Sequence, residues 1–477
     1  MIDFTMKRFL GIIFILLITS FSVQSQDTLS LARAISIGLK SNFDIQIEKM
    51  NVEIAQNNNN WGQAGRYPTI SLSGNQNNTV VQRKPANPFA VPGRNISDNL
   101  GGQLDAQFLL FGGFGVKMNK QRLEQLELLS NGNATFVIES TLEAIILAYC
   151  QSLLEKKRLE ILQNNVVFSK ERYDWVKLRK ELGGAITFDV LQEQNNYLTD
   201  SANVLRQDLA YRNSIRQLNL LLNQNINKTY ELTDSLGYRR EVFSYEELRE
   251  QMTRSNTNLK NQYTTQEILR YNTRLAQSDL YPTINLNLGA TGSLDQLNAN
   301  FRTTTGNTIE NVVGNVNRDP NQPVYNTVNE TALTPLTQRG NSYGAYGNFS
   351  LRFNLFNGGQ IKRTIENAKI QEKIAELDTD QLKLSLENDL LANFDLYNLR
   401  NRLVDIELTK LEAADLNLDL ANERYRNGAL SAIDLRIVQE NARNAALEAS
   451  QVIYNTISTK VTLVRLIGGL LDRIPKD

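Results

Sequence analysis

Helix breakers are confined to two short windows of this chain, and that distribution limits what it can fold into. The nine prolines stand at 68, 85, 88, 92, 282, 320, 323, 335 and 475, so all but the last fall within 68–92 and 282–335. Proline removes a backbone donor and clashes with the preceding turn, so the long intervals without it are free to be helical. Glycine is missing as well from 133–182 and from 360–427. An unbroken helix over the second interval is roughly 100 Å long at 1.5 Å per residue. A helix of that length needs a partner along its length. Ile370, Ile374, Leu377, Leu384, Leu391 and Phe394 recur at spacings of three, four and seven, the seam of a helix packed lengthwise on neighbours.

Beside the proline windows the period falls to two. Over 100–110 one face carries Leu100, Leu104, Ala106, Phe108 and Leu110, and the other Gly101, Gln103, Asp105 and Gln107. Over 343–355 Tyr343, Ala345, Phe349, Leu351, Phe353 and Leu355 alternate with Gly344, Tyr346, Asn348, Ser350, Arg352 and Asn354. Shorter alternations, Ile70 with Leu72 and Ile284 with Leu286 and Leu288, follow the two Tyr-Pro pairs. Strands of about ten residues, apolar on one side and polar on the other, suit a transmembrane barrel facing lipid and lumen, and a soluble sandwich gives the same pattern. Residues 75–99 and 292–341, rich in Asn, Thr, Gly and Pro without periodicity, read as loops joining the strands of each pair.

The chain repeats itself. Ser41-Asn42 matches Ser255-Asn256 and Tyr67-Pro68-Thr69-Ile70 matches Tyr281-Pro282-Thr283-Ile284, both at an offset of 214. Leu110-Phe111 matches Leu355-Phe356, and Arg179, Gly183, Asp189 and Gln194 match Arg424, Gly428, Asp434 and Gln439, all at 245. The growth in offset is extra chain between Pro282 and Phe356. We therefore expect two structural repeats, 26–235 and 236–477. Each reads as a helix, a β-hairpin (about 68–111 and 282–356) and a long helical hairpin with its tip near 183 or 428. Pro68 and Pro282 stop a helix and start a strand, because the residue before proline avoids the helical region. Gly112, Gly113, Gly358 and Gly359 return the chain from strand to helix, where a positive φ is required. Tyr67 and Tyr281 stand where an interfacial aromatic belt belongs.

The N-terminus reads as a secretory signal over 1–25. Lys7 and Arg8 precede a short apolar run, 9–18, and Val23-Gln24-Ser25 fits a small-residue cleavage pattern. Composition removes several classes of function. Lys plus Arg and Asp plus Glu both number 51, so there is no basic excess for a nucleic acid. Histidine is absent and Cys150 is the lone cysteine, which leaves no internal disulfide and no zinc site of the usual ligands. No clustered catalytic set, phosphate loop or ligand spacing is present. We expect no enzyme active site, no cofactor and no metal.

Two hairpins give four strands. In lipid their edge N–H and C=O groups would be unpaired, at several kcal/mol each, and four strands cannot close a barrel. If the strands span a membrane, the barrel is shared between subunits.

The Tyr-Pro-Thr-Ile strand starts, the Leu-Phe-Gly-Gly and Leu-Phe-Asn-Gly-Gly strand ends and the Gly-X5-Asp helical turns resemble those of TolC-like outer-membrane efflux proteins. The run from Arg424 to Leu435 is the most specific piece. The resemblance covers about 28–470. It implies a homotrimer whose four strands per chain build a twelve-stranded β-barrel joined to a long α-helical coiled-coil barrel. The barrel would sit in outer-membrane lipid, with the helices in the periplasm. It also implies an exit duct of a tripartite efflux or type I secretion system, passive, fed by an inner-membrane pump and a periplasmic adaptor (membrane fusion) protein. By position, Gly183, Gly428 and Leu430 would lie at the periplasmic tip that the adaptor touches, and Asp189 and Asp434 near the constriction. Many relatives carry an arginine where Leu430 stands, and Arg424, Arg426 or Arg436 could replace it in the closing contact. Capping of a helix N-terminus is the plain structural alternative for both aspartates. The rival function is a structural trimeric adhesin or periplasm-spanning tether. The substrate is not written in the sequence.

Overall fold

The computed structural model describes residues 27–87 and 90–471; the signal expected over 1–25 lies outside them, as does Pro475. The elements run β1 (Asp27–Leu29), α1 (Leu31–Ser41), α2 (Phe43–Asn58), β2 (Thr69–Arg83), β3 (Gly93–Gly112), α3 (Gly115–Glu181), α4 (Thr187–Leu221) and β4 (Tyr230–Leu232). Then follow α5 (Tyr245–Ser255), α6 (Thr257–Ser278), β5 (Thr283–Asn315), β6 (Pro323–Arg352), α7 (Gln360–Arg426) and α8 (Ala432–Leu466). The long helices fall where breakers are absent. α3 and α7 each have 67 residues, α4 and α8 each have 35, and α1 and α5 each have 11.

The chain forms two compact units, and each draws on both halves of the sequence. One takes the chain up to Asn57, Gln125–Ile268 and Glu372 onward; the other takes Asn58–Glu124 and Leu269–Gln371. The first unit is helical, with β1 paired in parallel to β4. Leu29, Leu142, Ile145, Tyr149, Leu218 and Leu222 form one of its cores, and Leu259, Leu390, Tyr397 and Leu463 belong to another. α3 is the one helix among the described residues long and apolar enough to cross a membrane, and half of its apolar window is buried inside the protein, as suits a core helix.

Matched asparagines bind the helices together. Buried Asn42 accepts from the Asp44 and Ile45 amides and donates to the Leu221 carbonyl. Asn256 accepts from the Leu259 amide and donates to the Leu466 carbonyl. Each one caps the helix that follows it and satisfies the end of the long helical hairpin of its own half. Tyr149 donates to Asp234 and lies 2.9 Å from the Leu29 carbonyl, and burial pushes its hydroxyl up. Burial also pushes the Cys150 thiol up to about 11, which keeps it protonated and unreactive.

The second unit holds an antiparallel sheet in the order β2-β3-β5-β6. Its strands run well past the lengths the alternation predicts. β5 has 33 residues and β6 has 30, and most of 75–99 and 292–341 is strand rather than loop. Over 304–315 and 324–327 every residue is exposed, so nothing there selects for alternation, and the backbone ladder alone defines those parts. β3 leaves β5 at Ile96↔Asn298, beyond which β5 and β6 pair only with each other. At the other end β6 stops at Arg352, so Leu355 and Phe356 fall outside the strand.

Candidate functional site

The two helix tips are built alike. The Gly183 amide bonds to the Lys180 carbonyl and the Gly184 amide to that of Arg179. The Gly428 and Ala429 amides repeat this with Tyr425 and Arg424. Both are six-to-one closures with glycine in the left-handed region, at φ +82 for Gly183 and +72 for Gly428. A Cβ at either glycine would meet nothing within 4 Å, so backbone conformation alone requires glycine. Leu430 sits half-buried in the second turn. Arg436, one of the stand-ins for the missing arginine, is paired with Glu440 at 2.8 Å.

Asp189 and Asp434 are exposed and serve as the third residue of the helix after each tip. Asp189 accepts from the Ile186 amide at 3.2 Å. Asp434 accepts from the Ser431 hydroxyl at 2.7 Å, while its own amide donates to that oxygen at 3.1 Å. Asp189 therefore closes a cap on the backbone, whereas at the second tip Ser431 is the cap and Asp434 holds its hydroxyl; both carboxylates meet a favourable dipole at helix N-termini. Inside the first tip lies a group that sequence reasoning missed. Arg172 and Glu193, each 5% exposed, form an ion pair at 3.2 Å. Tyr425 of the second hairpin lies near this pair, and burial pushes its hydroxyl up. Nothing in a helical sequence marks one arginine as buried. The only signal in the sequence is the unlike residues, Asn417 and Val438, at the matched positions.

The strand junctions lie where the motifs place them. β2 and β5 begin directly after Pro68 and Pro282, β3 ends at Gly112, and Gly358 and Gly359 precede α7. Gly113, Gly358 and Gly359 have φ of +58, +63 and +75, whereas Gly112, contrary to expectation, is still extended as the last residue of β3 and has no positive φ. Tyr67 and Tyr281 are exposed, and Tyr281 packs edge-on to Phe114, which packs edge-on to Phe111.

The register of the sheet sorts its side chains into two faces. On one, Ile70, Ala106, Leu288 and Gly347 form a row across the four strands. Rows of Leu72, Leu104, Ala290, Ala345 and of Gln76, Leu100, Leu294, Asn341 lie further on. The opposite face is hydroxyl and amide: Thr69, Gln107, Asn287, Asn348 and then Ser73, Gln103, Thr291, Gly344. Its two carboxylates over these rows are tied to neutral partners, Asp295 to Asn99 and Ser293 and Asp105 to Tyr346. Tyr346 reaches Asp105 from two strands away by crossing Gly289, where a Cβ would lie 2.5 Å from the tyrosine oxygen. The outer edges of β2 and β6 have no partner strand within the sheet. Among the described residues no group of three or more His, Cys, Asp or Glu is placed to hold a metal.

Residues 248–469 match the family model for outer membrane efflux proteins. That segment belongs to the outer membrane efflux protein family. The first half of the chain carries the same series of elements. No curated protein matches it in sequence. Among solved structures, the CmeC outer membrane channel of Campylobacter jejuni aligns with a TM-score of 0.69 at 15% identity, over 94% of this chain and 87% of that one. VceC of Vibrio cholerae gives 0.65 at 13%, over 92% and 96%. The open state of the Neisseria gonorrhoeae MtrE channel gives 0.64 at 16%, over 94% and 91%. At such identities the likeness is one of fold, and the fold of this chain is that of these channels.

Proposed function

We propose that this outer membrane efflux protein is one of three identical subunits of an exit duct, which passively releases what an inner-membrane pump and a periplasmic adaptor deliver. The observation that carries the reading is the sheet, apolar on one face, hydroxyl and amide on the other, with β2 and β6 unpaired at its edges. Lipid satisfies the first face and water the second. Only pairing β6 of one copy with β2 of the next removes the edges. Three copies supply twelve strands, enough for a water-filled lumen.

The helical unit supports the same assembly. Most of the seam that periodicity assigns to α7 is exposed, at Ile370, Ile374, Leu377, Leu384 and Leu391, while Phe394 at its end packs on Tyr245. α2 carries a second such stripe, Phe43, Ile47, Met50 and Ile54. Two uncovered apolar stripes on different helices suit a head-to-tail ring. In this reading the two repeats supply the two helical hairpins of each subunit, Gly183, Gly428 and Leu430 form the adaptor-facing tip, and Asp189 and Asp434 line the throat.

The mass of the detergent-solubilised protein from outer membranes tests the assembly. A trimer is expected; a stable monomer with the same strand content would refute it.

A further inference from the structure

The four strands contain five arginines and no lysine, and the register separates them. Arg339 lies on the apolar face in the row Asn78, Asp98, Gln296, Arg339. That row comes directly after Leu100 and Leu294, and beyond it the face is mixed, with Val80 and Ile96 beside Asn298 and Thr337 in the next row. Arg94 is paired with Gln82 two rows further on, and Arg302 with Leu333 beyond that, on the same face. The other two face the opposite way at strand ends: Arg83 closes β2 and Arg352 closes β6. Arg94, Arg302 and Arg339 are all exposed. Arg339 donates from Nε to the Gln296 side chain at 3.0 Å, beside a cavity of about 260 Å³ that Gln76, Asp98 and Leu294 also line. Asp98 is the one carboxylate in these rows of the apolar face, so the stripe keeps a net positive charge.

From this placement we propose that Arg94, Arg302 and Arg339 bind the phosphates of anionic lipid headgroups at the membrane surface farther from the helices. A face that meets acyl chains over the apolar rows meets headgroups directly beyond them. Guanidinium groups recognise phosphate through paired N–H donors. Three arginines spread along the strands match a layer of headgroups better than a single compact ligand. The proposal rests on the membrane-duct reading, and each is tested separately.

The purified protein is weighed first, in detergent, so that failure to form a trimer counts against the duct alone. Its thermal unfolding is then followed while a bisphosphorylated glucosamine lipid is added, with the same lipid lacking phosphates and inorganic phosphate as separate arms. Only the phosphorylated lipid should protect. Each Arg→Gln change among the three should raise the half-protecting concentration roughly fivefold, the effect of one cation at an anionic surface. Arg352→Gln, on the other face, should change nothing. Equal protection by the lipid without phosphates or by inorganic phosphate overturns the proposal. So does an unaltered titration for R94Q/R302Q/R339Q, or a loss as large for R352Q.

Discussion

The two helical hairpins have the same lengths and the same glycine closures, yet their interiors are held differently. Near the first tip Arg172 and Glu193 form a pair that solvent hardly reaches. The second hairpin has Asn417 and Val438 at the matched positions. Three of its buried polar atoms near the tip, Tyr425 Oη, Arg436 Nη1 and Gln439 Oε1, find no hydrogen-bond partner among the described residues, against Arg172 Nη1 alone near the first tip. Repetition has preserved backbone geometry, which the glycines and caps dictate locally. It has not preserved side-chain pairing, which each hairpin solves for its own surroundings.

The largest effect should come from breaking that asymmetry. Arg172→Ala leaves Glu193 buried without its partner, and such a loss costs about 3–5 kcal/mol. Asn417→Ala, its counterpart, should cost under about 1 kcal/mol, as changes away from such features do. Chemical denaturation of the two variants measures the difference. Equal losses would mean that the ion pair does not distinguish the hairpins.

A second contrast lies at the strand-to-helix returns. Gly113 and Gly358 are matched and share a positive φ, but their surroundings differ. A Cβ at Gly113 would lie 2.3 Å from the Ser278 carbonyl oxygen, whereas at Gly358 it meets nothing within 4 Å. Gly358→Ala should cost about 1–2 kcal/mol for left-handed backbone. Gly113→Ala should add about 1–3 kcal/mol for overpacking against a backbone that cannot step aside. Melting temperatures of the two alanine variants sharpen the comparison, and similar values would remove it.

These contrasts mark what can be read in the sequence. Gly183, Gly428, Pro68 and Pro282 act through their own backbone, so their positions alone place the tips and junctions. The Ser-Asn pairs at 41–42 and 255–256 are visible as a repeat, whereas their double role, capping one helix while closing the end of another, emerges only in the folded chain. The seam on α7 is legible as periodicity, but from Ile370 to Leu391 it is exposed in the single chain, as the proposed trimer requires. The outer parts of β5 and β6 have the composition of loops, since a ribbon exposed on both sides carries no alternation. The Arg172–Glu193 pair is invisible in the sequence, because burial is a property of the packed hairpins.

At the tips themselves the two glycines offer a functional contrast. Both sit in open space, so valine is opposed only by its backbone preference, about 1–2 kcal/mol or more for a β-branched side chain in the left-handed region. Neither Gly183→Val nor Gly428→Val should unfold the subunit. Gly428→Val should abolish efflux from cells at normal trimer abundance, because it reshapes the turn that holds Leu430. Full efflux in that variant would remove the second tip from the adaptor-facing surface.

The smallest effect on stability, and the sharpest on transport, is expected at the aspartates. Asp434 already has a structural role, because Ser431 and Asp434 close the first turn of α8 on each other. Asparagine keeps an acceptor oxygen at the same place, and a cap altered in this conservative way loses well under about 1 kcal/mol, so trimer yield should not change. Charge is what the substitution removes. In a threefold assembly Asp434 appears three times around the axis. Like charges around a narrow throat favour cations, and the field they focus decays over about 8 Å in physiological salt. Asp434→Asn should therefore lower the cation preference of single channels, with a larger change at low salt. Asp189 caps α4 through the Ile186 amide without a serine partner, so Asp189→Asn tests whether the first tip contributes equally. Reversal potentials under a salt gradient separate the cases. A shift for Asp434→Asn alone assigns the throat to the second hairpin, and equal shifts make it a joint structure. No shift for either leaves both aspartates as helix caps, and the matched tips would then differ in packing but not in their effect on ions.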